Sequence, residues 1–355
     1  MSTKFNKNSK YLKLAVRYKK RHNPKRAIYY YKMAIRQGDS DAMNNLGDFY
    51  DIELKDYKRA IKYYKMGIKK QNVYAISNLA YLYYKVYNNE PKAIYYYKIA
   101  VRKKFSDAMF LWGLIYDNRE EYNRAIRYYK MAIKYIHWKA LNNLALIYHY
   151  ETKEFEKAKK YYELGVKKLD NKAMSNLGIL YEDEFGDYKK AEKYYKMAIK
   201  YKSTKAIFRL AFLYHDKFKD YKNAIKYYEM TIEYKGSGMD SAMFNLALLY
   251  KNQYQDYENA MKYYKMAIKQ GCYMSMTNLG SIYQEQYKDF KKAIKYYNMA
   301  IENGNDAVGM YDLAELYEEE YQDYKKAKKY YEMALENGYE KAREKLDRIK
   351  KGSKR

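Results

Sequence analysis

Apolar and small residues recur along this chain in two alternating registers. In the first, typified by residues 42–50, Met43, Leu46, Gly47 and Tyr50 fall at i, i+3, i+4 and i+7, which is one face of a helix. In the second, typified by residues 57–68, Ala60, Ile61, Tyr63, Tyr64, Gly67 and Ile68 form a wider stripe. A stripe that broad fits a helix packed on two neighbours at once. The two registers predict an A helix and a B helix per unit, with B packed on its own A and on the next unit. The B register is anchored at Ala27, Ala60, Ala93, Ala125, Ala158, Ala191, Ala224, Ala260, Ala293 and Ala327, at steps of 32 to 36 residues, most of them 33. A fixed period of this length is the signature of a repeat architecture. The pattern predicts an all-α solenoid of ten two-helix repeats over residues 9–350.

Polar punctuation supports these boundaries. Asp56, Asp187, Asp220, Asp256, Asp289 and Asp323 each stand four residues before an anchoring alanine and are N-cap types that accept from otherwise unpaired backbone N–H groups. Asn23-Pro24 starts the first B helix in the same way. Gly38, Gly271, Gly304 and Gly338 stand where B helices end, as C-terminal caps. Gly47 and its alanine counterparts at 80, 145, 211, 247 and 314 predict close helix approach. The rhythm breaks at Lys235-Gly236-Ser237-Gly238, so residues 235–239 read as a hinge or as a longer turn. The last helix, from about Glu340 to Lys350, has no B partner and reads as a cap on the open end of the stack. Residues 1–8 and 351–355 read as basic tails, the first disordered.

Composition narrows the class. Two prolines in 355 residues favour helix throughout. One cysteine, Cys272, excludes an internal disulfide and suits a reducing compartment. No signal-peptide pattern opens the chain, and no apolar run has the length needed to span a bilayer. These features imply a soluble, cytoplasmic protein. The net charge of +28 implies attraction to polyanions.

Leu46-Gly47, Tyr50, Ala60, Tyr64 and Gly67 resemble the tetratricopeptide (TPR) signature. The link from Ala34 through Gly38 to Ala42, with Leu46-Gly47 and Tyr50 beyond, is more similar to Sel-like repeats (SLR). One departure is that the A-to-B loop lacks the glycine-rich insertion usual in SLR units. In the third unit Trp112 stands where others have Leu. The resemblance covers residues 9–350 and implies a right-handed TPR/SLR-like superhelix, about 100 Å long at roughly 10 Å per unit, that acts as a scaffold or adaptor for other proteins. The Tyr-, Lys- and Asn-rich style is also similar to repeat proteins of large amoeba-infecting DNA viruses, which implies host cytoplasm or the virion as the location.

By the same analogy the A helices line a concave groove, and the residue before the signature Leu points into it. That column holds Asn45, Asn78, Asn143, Asn176, Asn245 and Asn278, with Leu111, Arg209 and Asp312 in the other units. Each amide offers an acceptor and two donors, so the row suits either the backbone of an extended peptide or ties within the stack. A flanking column includes Phe110, Phe208, Phe244 and Tyr311, and a second includes Tyr81, Ile179 and Phe212. Exposed, these form an apolar strip of the kind that marks a protein-binding site; packed, they are core.

On the B helices Lys58, Lys62, Lys65 and Lys69, like Lys189, Lys193, Lys196 and Lys200, line one outer face. Such a ridge is a solvated surface or a track for phosphates. Residues 1–36 carry twelve bases and no acid, whereas residues 306–348 carry twelve acids against eight bases. That asymmetry allows open head-to-tail association.

Evidence for chemistry is thin. His149 and His215 hold the same repeat position two units apart, too far to share a metal, and His22 and His137 have no companions at ligand spacing. Cys272 has no nearby His, Glu182, Asp183 and Glu184 read as loop charge, and no glycine-rich phosphate loop exists. The sequence therefore implies a non-enzymatic protein without cofactor or metal. Protein or extended-peptide binding in the groove is the leading reading. Nucleic-acid or polyanion binding on the B face and self-association as a structural protein are the alternatives.

Overall fold

The computed structural model describes residues 10–352, with side chains to 349. The expected tail at 1–8 and residues 353–355 lie outside the described residues. The last helix reaches Gly352, so residues 351 and 352 are helical, not tail. Every described element is a helix or a turn.

Packing divides the chain into two compact units, which part between Ala173 and Met174. The first unit holds five helix pairs. They are α1 (Lys10–Lys20) with α2 (Pro24–Arg36), and α3 (Ser40–Asp48) with α4 (Tyr57–Lys69). Then follow α5 (Val73–Lys85) with α6 (Glu90–Arg102), α7 (Ser106–Asp117) with α8 (Tyr122–Lys134), and α9 (Lys139–Leu146) with α10 (Phe155–Lys167). Helices α3 and α9 each continue into a π-helical turn, Phe49–Glu53 and Ile147–Glu151. Helix α11 (Asn171–Asp183) begins at the end of this unit and continues into the second.

In the second unit α11 pairs with α12 (Tyr188–Lys200). Next come α13 (Thr204–Asp216) with α14 (Tyr221–Glu233) and α15 (Met239–Gln253) with α16 (Tyr257–Ile268). Helix α17 (Met274–Glu285) pairs with α18 (Phe290–Gly304), α19 (Ala307–Glu319) with α20 (Tyr324–Glu336), and α21 (Ala342–Gly352) caps the end. Odd-numbered helices to α19 are therefore the A helices and even-numbered ones the B helices. Each B helix packs on its own A, and within each unit on the following A as well.

The caps act as the sequence implies. Asp56, Asp187, Asp220, Asp256, Asp289 and Asp323 each accept from the backbone N–H three residues on. Gly38, Gly271 and Gly338 take left-handed φ of 82°, 89° and 87°. Gly304 does not; it stays helical and Asn305, at φ 47°, makes the left-handed cap. The extra residues before α15 form a packed turn: the Gly236 N–H donates to Thr231 O at 2.9 Å, and Gly238 lies left-handed against the Phe208 ring.

Tyrosine builds the interior. Tyr31, Tyr64, Tyr97, Tyr129, Tyr162, Tyr195, Tyr228, Tyr264, Tyr297 and Tyr331 are all at most 1% exposed, one in each B helix. A Cβ at Gly47, Gly113, Gly178 or Gly280 would lie 2.6–2.8 Å from such a ring, which is why glycine is used at those A-helix positions. A second set stacks across each pair, for example Tyr50 on Tyr63 and Tyr83 on Tyr96, at 5.5 and 5.8 Å with interplanar angles of 2° and 4°. Large aromatic surface and favourable ring pairing thus explain much of the tyrosine bias by packing.

Candidate functional site

The A-helix face is built by the signature Leu and its small neighbour. Leu46, Leu79, Leu144, Leu177, Leu210, Leu246, Leu279 and Leu313 are fully buried. That burial turns the preceding residue toward the edge of the A face. Asn45, Asn78, Asn143, Asn245 and Asn278 are half-buried there, while Asn176 is buried. Their amides are engaged locally. Asn78 Nδ2 donates to Asn44 Oδ1 at 3.1 Å and to Asp48 Oδ1 at 2.8 Å. Asn143 Nδ2 donates to the Tyr129 hydroxyl at 3.4 Å, and Asn278 Nδ2 to Met274 O at 3.0 Å. Asn45 accepts from Asn44 and lines a 430 Å³ cavity with Lys19, His22 and Asp48. Asn176 accepts from Lys205 at 3.4 Å, and Asn245 hydrogen-bonds Tyr228.

The flanking column packs on the buried tyrosine of its own pair, and Phe110, Phe208 and Tyr311 also reach the turn into the next pair. Phe110 stacks on His137 with centroids 4.3 Å apart. Phe208 packs beside Tyr228 and Gly238, Phe244 beside Tyr264, and Tyr311 between Tyr331 and Tyr339. These four rings are half-buried. In the second column Ile179 is buried at 1%, whereas Tyr81 and Phe212 are exposed.

Behind the Asn column runs a polar set that the sequence reading passes over: the A-helix residue four beyond the small one, facing the buried tyrosine hydroxyls. Tyr64 donates to Asp48 at 2.8 Å and to Asp51, Tyr129 to Asp117 at 2.9 Å, and Tyr297 to Gln284 at 2.8 Å. Tyr195 donates to Glu182 and Tyr331 to Glu318. Glu182 is thus buried and bonded rather than loop charge, and burial raises its pKa. Burial also raises Asp48 and Asp117 and lowers His137 and His215. The signal was present in the sequence as a polar residue four or five positions before the B-helix cap, but at a helix end it is not distinguished from ordinary loop charge.

Lys58, Lys62, Lys65, Lys69, Lys189, Lys193, Lys196 and Lys200 are exposed. Lys196 pairs with Glu192 at 2.5 Å and is held above its usual pKa by that contact. At the acidic end, Lys345 reaches Glu315 at 2.7 Å and Arg348 reaches Glu318 at 3.5 Å, so part of that charge is neutralised by α21. Among the described residues no group of three or more His, Cys, Asp or Glu is placed to hold a metal, and no helix is long and apolar enough to cross a membrane.

A chain of paired helices with small residues under buried tyrosines and one polar column on the A face belongs to the helical-repeat class that includes the tetratricopeptide. Sel1 repeat models match residues 17–39, 73–105, 204–233, 240–272, 274–305 and 307–339. This chain belongs to the Sel1 repeat family. Tetratricopeptide repeat models match the intervening segments 40–69, 107–135, 139–167 and 173–207. Among solved structures the chain is similar to c5321, a protective antigen of uropathogenic Escherichia coli strains displaying an SLR fold. The identity is 21% and the TM-score 0.66, over 96% of this chain and 79% of that one. It is also similar to a Sel1 repeat protein from Oxalobacter formigenes, at 21% identity and TM-score 0.46, over 61% of this chain and 94% of that one. No curated protein sequence matches. Repeats of this class generally mediate contacts between proteins.

Proposed function

We propose that this protein is a non-enzymatic scaffold or adaptor that takes a partner protein along the A-helix face. The observation that supports it is the Asn column: a half-buried amide in five of the ten pairs, with Asn78, Asn143 and Asn278 already fixed in orientation by Asp48, Tyr129 and the Met274 carbonyl. Amides held in place lose little freedom when a partner binds. An extended segment supplies backbone donors and acceptors at a pitch that such a column meets, and the half-buried flanking rings add apolar contact.

The experiment is a tagged capture from the native cell, with and without nuclease, using three forms of the chain. A defined protein retained after nuclease and lost in Asn78→Ala/Asn143→Ala supports the reading. The exposed lysines of α4 and α12 favour a second reading, polyanion binding, in which affinity falls steeply with salt. That reading gains if Lys62→Glu/Lys65→Glu/Lys193→Glu loses every partner and the Asn variant loses none.

A further inference from the structure

On the A face of the first unit a cavity of 510 Å³ opens between α7, α9 and the turn into α11. Its volume lies in the range of small-ligand sites. Its walls differ from the rest of this face. They include the Trp138 indole, which is 39% exposed, the Phe110 ring, the Asn143 amide and three lysines, Lys139, Lys168 and Lys172. Trp138 is the one exposed tryptophan of two; Trp112 is buried at 4%. Two residues before Trp138, Ile136 stands in the left-handed region at φ 72°, a conformation that β-branched residues rarely accept.

The charges are arranged for an anion. Asp170 is the one acid in the walls, and its carboxylate accepts from the Lys172 and Ala173 backbone N–H groups at 2.9 and 3.4 Å, capping α11. Burial lowers the pKa of the neighbouring His137 ring, with Asp107 opposing, and the ring serves as the platform for Phe110. The Lys168 ammonium lies 4.0 Å from the Trp138 ring centre, so one face of the indole opens to the same space as the lysines.

We propose that this cavity binds a nucleotide, with the base on Trp138 and the phosphates on Lys139, Lys168 and Lys172. Base–aromatic stacking tolerates any base because every base has a π face. The base replaces the Lys168 ammonium on the indole, and that ammonium turns to the phosphate. Asn143, with one amide hydrogen on Tyr129, offers its second donor and its carbonyl acceptor to the base edge. An acidic peptide would use the lysines and draw Lys168 off the indole without putting anything in its place, whereas a nucleotide replaces that contact with a stacked base, so the chemistry favours the nucleotide. The site stands apart from the lysines of α4 and α12, and it does not depend on protein binding by the A face.

The test is calorimetric titration of the full chain with adenosine 5′-diphosphate, adenosine, inorganic diphosphate, a decaglutamate peptide and a 5′-diphosphorylated octaadenylate. The expected result is one saturable site for adenosine diphosphate, with adenosine and diphosphate each at least about tenfold weaker. Trp138→Ala loses about tenfold or more, the range expected for one stacked base, while Trp138→Phe retains most of the affinity. Lys168→Ala weakens binding several-fold, and circular dichroism checks that each variant is folded. A further gain of about tenfold for the octaadenylate assigns the site to an RNA end; equal affinity assigns it to the free nucleotide. No saturable binding, adenosine diphosphate no tighter than diphosphate, no effect of Trp138→Ala in a folded variant, or decaglutamate binding more tightly overturns the proposal.

Discussion

Tyr64 and Tyr97 occupy the same position in neighbouring helix pairs, and both are 1% exposed. Their rings do the same work and their hydroxyls do not. Tyr64 lies against Gly47 and donates to Asp48 and Asp51. Tyr97 lies in a pair with Ala80 and Tyr84 at the equivalent positions, and its hydroxyl is buried without a partner. Tyr162 and Tyr264, in the pairs of Ala145 and Ala247, are the same. In all four glycine pairs the hydroxyl has an acceptor. The comparison teaches that ring burial sets the repeat, while the polar contact is added pair by pair through the A-helix residue that faces the ring.

The largest expected effect should not distinguish the two. Tyr64→Ala and Tyr97→Ala each remove a fully buried ring and should cost about 3–5 kcal/mol, read as a shift of the urea midpoint. Removing the hydroxyl alone should separate them by sign. Tyr64→Phe loses a bond to a charged acceptor, about 1.5–3 kcal/mol, whereas Tyr97→Phe removes an unsatisfied group and should gain about 1 kcal/mol. Gly47→Ala should cost about 1–3 kcal/mol by overpacking against Tyr64, reduced by the ~1 kcal/mol that alanine gains in helix propensity. Equal and same-signed effects of the two Phe substitutions would break the comparison.

The smallest effect sharpens the same contrast in the second unit, where an A-face acid lacks sufficient neutralisation. Burial first, then Glu315, Asp306 and Glu285, push Asp312 up to about 7, with Lys251 opposing. The folded state then holds a proton that the unfolded state releases near pH 4. Stability from this group is present at low pH and falls as pH rises from about 4 to about 7. Melting temperature measured across that window should decline, and Asp312→Asn should flatten the decline.

Much of this was legible in the sequence. Ala27 through Ala327 set the period, and the Asp caps placed the helix starts, because both depend on local geometry alone. The role of Gly47 as room for Tyr64, rather than for a helix backbone, needs the third dimension. So does the burial of Glu182, whose neighbours Asp183 and Glu184 are exposed; a helix end gives no sequence clue to which of three acids turns inward. The Asn column was visible as a column, but its ties to Asp48 and Tyr129 join residues 30 and 14 positions apart. Trp138 escaped notice because it stands in a turn, outside both registers, and gains its lysines from the next turn.

The scaffold reading is tested most directly by hydrogen–deuterium exchange of the chain with and without its captured partner. Binding along the A face predicts added protection in the odd-numbered helices, centred on α5 to α9 around Asn78 and Asn143, with α4 and α12 unchanged at their exposed lysine faces. Protection confined to the even-numbered helices would contradict it and assign recognition to the lysine ridge.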